Sequence, residues 1–207
     1  MRGLLLLVLL AGCSTAPHYF PTFQQHAISL REGQLEAGGI AFITPSTVTG
    51  QEQEKQGVAL TFADVMKGQR PAIKVVTLAE TLGAVNRAGL ADAYRHMYEH
   101  YGDTGLFPGD VLRNVGKAAG TRYLAQIKLQ GFSQASKNRF GILGLRLVET
   151  QYADVRLFLQ VWDSLDGSIA WEAMQELRIS LDTTSDEPVM LRELLKRSAH
   201  DLITRLP

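Results

Sequence analysis

Along residues 38–207 the apolar positions change period several times, and each change marks an element. Ile40-Ala41-Phe42-Ile43 is a continuous apolar run of the length a strand buried on both faces requires. Val58, Phe62, Val65 and Met66 recur at helical spacing and predict a helix over about 55–67. Lys74 to Leu78 predicts a second buried strand. Leu90, Tyr94, Met97, Tyr98 and Tyr101 share one stripe of a further helix. Pro108-Gly109-Asp110 opens another, with Asp110 as the expected N-cap. Its core positions are Val111, Leu112, Val115 and Ala119, and Gly120 stops it.

The last third reads most clearly. Tyr123, Ala125, Ile127 and Leu129 alternate with Gln126, Lys128 and Gln130, the pattern of a half-buried strand. Val155, Leu157, Leu159 and Val161 form the inner face of the next strand. Ile169, Trp171, Ala173, Leu177 and Ile179 form that of the one after. A two-residue turn would set Val161 against Glu172 and mix the faces. A three-residue loop, Leu165-Asp166-Gly167 with Gly167 left-handed, sets Val161 against Trp171. The same register opposes Arg156 to Glu176 and Asp154 to Arg178, two opposite-charge pairs. A final helix from near Pro188, after Asp186, carries Leu191, Leu194, Leu195, Leu202 and Leu206. The expected fold is α/β (α+β). A single mixed sheet of about five strands carries helices packed on it and ends in a β-hairpin and a C-terminal helix.

The amino-terminal residues follow a different logic. Met1-Arg2 gives a positive start and Leu4 to Leu10 is an unbroken apolar run, far short of a bilayer span but suited to a secretory signal. Leu10-Ala11-Gly12-Cys13 then resembles the bacterial lipoprotein signal, in which the thiol is acylated and the chain is cut before the cysteine. Residues 1–12 are accordingly expected as signal peptide, 13–37 as lipid anchor and tether, and 38–207 as a periplasmic domain. Cys13 is the expected lipid attachment, and Ser14 after it points to export to the outer membrane. Ser14 to about Gln25, with Pro17 and Pro21, reads as an extended linker.

Composition narrows the function. The 207 residues hold 21 Lys+Arg and 21 Asp+Glu, and this neutral balance removes the electrostatic case for nucleic acid, whose phosphates call for a basic surface. The single Cys13 excludes an internal disulfide and a Cys-rich zinc site.

Several segments carry a family resemblance. Ile40 to Pro45 is similar to a first strand, Lys74 to Leu78 to a second, and Gly116 to Ala125 to a helix-to-strand step. The hairpin from Val155-Arg156-Leu157 through Trp162 to Glu172 is the closest match. Together, over roughly 38–206, they resemble the TolB amino-terminal-like domain of small bacterial envelope lipoproteins. Curli-secretion and Pel-secretion lipoproteins and cell-wall-synthase activators have related architectures. The resemblance implies a domain that binds partners or self-assembles without catalysis, and it brings neither cofactor nor catalytic residue. The expected partners are the bilayer through acylated Cys13, an envelope protein, and further copies of the chain.

One motif argues for chemistry. His96-Met97-Tyr98-Glu99-His100 reads H-x-x-E-H, which on a helix places two imidazoles to grip Zn²⁺ with Glu99 as base. Glu172 or Glu176 would be the distant third ligand. The helical wheel sets His96, Glu99 and His100 opposite the apolar stripe, on a solvated face. A lipid-anchored zinc hydrolase is thus the rival reading, and a carrier of a small apolar ligand a third. Two further patches are notable. Phe158, Trp162 and Met174 share the outer hairpin face, where a covering helix is expected. Ser136 to Leu147 reads as a hairpin arm or a contact surface.

Overall fold

A computed structural model describes residues 17–47, 51–142, 145–183 and 191–207. Cys13 and residues 1–12 lie outside these, as do Asp186 and Pro188 at the expected start of the last helix. None of the described helices is long and apolar enough to cross a membrane.

In chain order the elements are β1 (His18–Ala27), α1 (Gln34–Gly38), β2 (Ile40–Phe42), β3 (Ser46–Thr47), α2 (Glu52–Gln69), β4 (Val75–Val76), α3 (Leu78–Arg87), α4 (Ala91–Thr104), α5 (Gly109–Ala119), β5 (Tyr123–Ile142), β6 (Leu145–Asp163), β7 (Ile169–Thr183) and α6 (Leu191–Ile203). The strands form one mixed seven-stranded sheet in the order β1-β7-β6-β5-β2-β4, with β3 beside β5. β2 is parallel to β4 and β5, whereas β5, β6, β7 and β1 are antiparallel neighbours. The α/β class and single mixed sheet match expectation; the strand count is seven rather than about five.

Helices cover both faces. On one, α2 contributes Val58, Phe62 and Met66 and α6 contributes Leu194, Leu195, Ala199 and Leu202. They pack on Phe42, Ala125, Ile127, Leu157, Leu159, Val161, Trp171 and Leu177 of the sheet. On the other, α3, α4 and α5 place Val85, Tyr94, Met97, Leu112 and Val115, with Phe107 between α4 and α5, over Ala41, Ile43, Leu124 and Trp162. The run at Ile40–Ile43 is apolar on successive residues because β2 is central and covered on both sides.

The extra strands have physical reasons. His18–Ala27, read from the sequence as part of a linker, is instead β1. It pairs with β7 from His18↔Ser180 to Ala27↔Trp171. Its alternation is obscured because this edge strand is exposed at nine of ten positions, and Pro21 is tolerated at an edge. The strand expected at Lys74–Leu78 contracts to Val75–Val76. Thr77 leaves it to cap α3, accepting from Glu80 N–H while the Glu80 carboxylate accepts from Thr77 N–H, a capping box. The N-cap of α5 is Pro108, and Asp110, expected there, lies inside the first turn. Gly120 closes α5 at φ 67°.

The hairpin register matches the sequence reading: Val161 opposes Trp171, Arg156 opposes Glu176 and Asp154 opposes Arg178. The turn differs by one residue. A bulge after Val161 sets Trp162 opposite Ile169, and Asp163 N–H donates to the Ser168 carbonyl at 2.8 Å. Gly167 is left-handed at φ 80°, as required.

Candidate functional site

The outer face of the β1-β7-β6-β5 sheet is only partly covered. At its lower end α4 and α5 lie over Trp162, which is 1% exposed and meets Phe107 edge-on at 5.0 Å between ring centroids. Of the three outer-face residues expected beneath a covering helix, Trp162 is covered, while Phe158 and Met174 are half-buried. Above it the face opens into a trough of about 730 Å³, with Phe20, Thr22, Asp154, Arg156, Glu176 and Arg178 among its lining residues. Strand pairing builds it row by row. Phe20 opposes Arg178, Arg178 opposes Asp154, and Asp154 opposes Ser133; Thr22, Glu176, Arg156 and Gly131 form the next row.

The charges in those rows alternate. Arg156 holds Glu176 at 2.6 Å and Arg178 holds Asp154 at 2.6 Å. The Asp154 carboxylate accepting from Arg178 pushes that guanidinium further up. Both pairs are substantially exposed, so each contributes little to stability; together they present a neutral, checkered polar surface. Phe20, 57% exposed, stands at its rim, and Gly131 has no neighbour where a Cβ would sit.

Between trough and helices lies a polar cluster. The Tyr101 hydroxyl donates to Gln160 at 3.3 Å, and the Gln160 amide donates to Glu172 at 3.0 Å. The Lys128 ammonium lies 4.7 Å from the Tyr101 ring centroid and 5.2 Å from that of Phe158. Burial pulls the Lys128 amine down, with the Glu172 carboxylate opposing. Burial, reinforced by Glu172, pushes the Tyr101 phenol up to about 12. Beneath them Gln126 is fully buried with neither amide atom hydrogen-bonded to a protein group.

The H-x-x-E-H residues sit apart from this. Tyr94 and Met97 face the core, as the wheel requires, and His96, Glu99 and His100 are exposed. Glu99 accepts from Arg95 at 2.8 Å and His100 Nδ1 lies 2.9 Å from the Leu106 carbonyl. Glu172 and Glu176 are engaged by Gln160 and Arg156 on the sheet. Among the described residues no group of three His, Cys, Asp or Glu side chains is placed to hold a metal ion.

Two features escaped the sequence. Tyr94 and Tyr98 are core residues by period, yet their hydroxyls bind Thr44: Thr44 N–H donates to Tyr94 at 2.9 Å, and Tyr98 donates to the Thr44 carbonyl at 2.9 Å. The other is the hold of α6 and the turn after it on β1. Arg205 stacks 3.8 Å from the Phe23 centroid and Arg197 5.3 Å from that of Tyr19. Only β1's being a strand would have revealed it.

No protein-family model matches the sequence, and no curated protein matches it. Among solved structures the chain is similar to the PelC dodecamer from Paraburkholderia phytofirmans. Identity is 12%, over 90% of this chain and 94% of that one, with a TM-score of 0.47. It is also similar to lipoprotein GNA1162 from Neisseria meningitidis, at 13% identity over 81% of this chain and 96% of that one, TM-score 0.45. Likeness at this level says nothing about activity, ligand or assembly.

Proposed function

We propose that this chain is an outer-membrane lipoprotein, anchored through acylated Cys13 on the periplasmic side, that serves envelope assembly, secretion or transport without catalysis, through protein contacts. One observation supports this reading above the others: the only cysteine ends a signal-like segment and lies five residues before β1. Five residues reach at most ~18 Å, even fully extended. The tether is therefore short, and the body is held close to the leaflet rather than ranging from it.

Such an anchor acts by position. Confinement to a surface raises the local concentration of weak binders, so modest contacts suffice for function. The neutral checkered trough suits a protein partner better than a strongly charged polymer. Acylation is tested by fatty-acid labelling and membrane fractionation of Cys13→Ser. Loss of label and release from the membrane are expected, and unchanged fractionation would refute the anchor. Crosslinking in intact envelopes followed by affinity purification of the chain then reads the partner.

A further inference from the structure

The β5–β6 hairpin projects from the same end of the sheet at which the chain enters β1. His18, the first residue of β1, shares one row with Ser180 of β7, Tyr152 of β6 and Ala135 of β5. Three successive antiparallel pairings, β5 to β6, β6 to β7 and β7 to β1, make β5 run opposite to β1. Past Ala135, β5 therefore climbs beyond the start of β1. It continues to Ile142, which pairs with Leu145 of β6. Residues 132–137 of β5 are already exposed, which marks where the strand leaves the core.

Reach and composition then bear on one another. The Ala135 and Ile142 rows are six paired rows apart, about 20 Å at about 3.3 Å each. Cys13 lies five residues before His18, ~18 Å at most. With the strands upright, the hairpin end is level with the Cys13 backbone when the tether is fully extended, and passes it otherwise. The sequence there suits a lipid surface. Phe140, Ile142, Leu145 and Leu147 are apolar. Lys137, Arg139 and Arg146 are basic, and no acidic residue lies between 136 and 148. In a chain of zero total charge, that local excess is complementary to anionic lipid headgroups.

We propose that the end of the β5–β6 hairpin is a second membrane contact, seated at the headgroup boundary of the leaflet that holds Cys13. The inference rests on the proposed anchor, which brings the hairpin to the bilayer. The apolar residues supply the contact with the acyl boundary, and the three basic residues the contact with phosphate. A hairpin, unlike a helix or a closed barrel, cannot pair all its main-chain groups within itself, so it goes no deeper. One tethered point lets the body swing; two hold the strands upright and set the trough at a fixed height above the lipid.

The test uses the full chain, purified from membranes with its lipid and reconstituted in vesicles of phosphatidylethanolamine and phosphatidylglycerol. Ile142→Cys and Leu145→Cys each carry an environment-sensitive dye. Leu165→Cys is the control, since Leu165 is 55% exposed in the turn at the far end of β6. Lipids bearing a nitroxide near the headgroup are expected to quench the dye on Ile142→Cys and Leu145→Cys but not on Leu165→Cys. A nitroxide near the terminal methyl should quench it less. Equal quenching at all three positions would overturn the inference. So would a hairpin dye that no lipid quenches, whether iodide in the water reaches it or a second protein chain shields it. The intact mass of the same sample reads the lipid on Cys13. Lipid present without quenching overturns the hairpin contact alone, and quenching without lipid overturns the anchor alone.

Discussion

Gly116 sits where α5 meets the hairpin turn that supports the outer face. A Cβ there would collide with the Ser164 hydroxyl, approach Ser164 Cβ to 2.7 Å and come within 2.9 Å of the Thr121 carbonyl oxygen. Two effects oppose each other in Gly116→Ala. Alanine is favoured in a helix interior by about 1 kcal/mol. Overpacking costs typically about 1–3 kcal/mol, and the upper end applies when the obstacle is backbone. Here Thr121 contributes a carbonyl, and Ser164 is pinned by its N–H bond to the Arg122 carbonyl at 2.9 Å. The clash should win, leaving a net loss of about 2 kcal/mol, or roughly 4–8 °C in Tm for a chain of this size. Gly57→Ala is the control, since nothing lies within 4 Å of its Cβ and it is an exposed position in α2. It should gain up to about 1 kcal/mol. Denaturant unfolding of the two variants beside the parent reads both. Adding Ser164→Gly to Gly116→Ala should recover part of the loss. Gly116→Ala as stable as the parent, with Gly57→Ala gaining, would refute the packing argument.

Trp162→Ala removes a buried indole that meets Phe107 and Tyr101 edge-on and should cost about 3–5 kcal/mol, read by the same unfolding assay. Gln126→Leu replaces a buried amide that has no protein partner and should be neutral or stabilising by about 1 kcal/mol; a clear loss would mean that the amide is satisfied by ordered water. Thr77→Ala opens the α3 capping box and should cost about 1 kcal/mol. The Thr77 N–H and hydroxyl hold the Glu80 carboxyl below its ordinary 4.5. That contribution is complete above pH 4.5 and is lost as pH falls through the lowered value, so Glu80→Gln should flatten the acid limb of a stability–pH profile.

The part of the fold best legible in the sequence is the hairpin. Its inner face alternates over many residues, and the charge pairs Arg156–Glu176 and Asp154–Arg178 fix the register independently. Helices α2, α4 and α5 were legible because each buries a stripe on one side. What failed were elements whose geometry depends on the rest of the molecule. β1 buries almost nothing itself and exists because β7 offers it a ladder. Lys74–Leu78 splits between strand and helix because Thr77 and Glu80 satisfy the first turn of α3 between them. The trough is half legible: its charged rows follow from the hairpin register, but its Phe20 rim belongs to a strand read as linker. The H-x-x-E-H residues lie on the exposed side of α4 that the wheel assigns them, away from the trough.

The central claim is that a short acylated leader holds this body at a bilayer. Intact-mass measurement of the native chain, extracted from membranes without prior proteolysis, tests it most directly. The account predicts a polypeptide starting at Cys13 and heavier than its sequence by a diacylglyceryl group and an amide-linked fatty acid. A chain that retains Met1, or starts at Cys13 with no added mass, would contradict it.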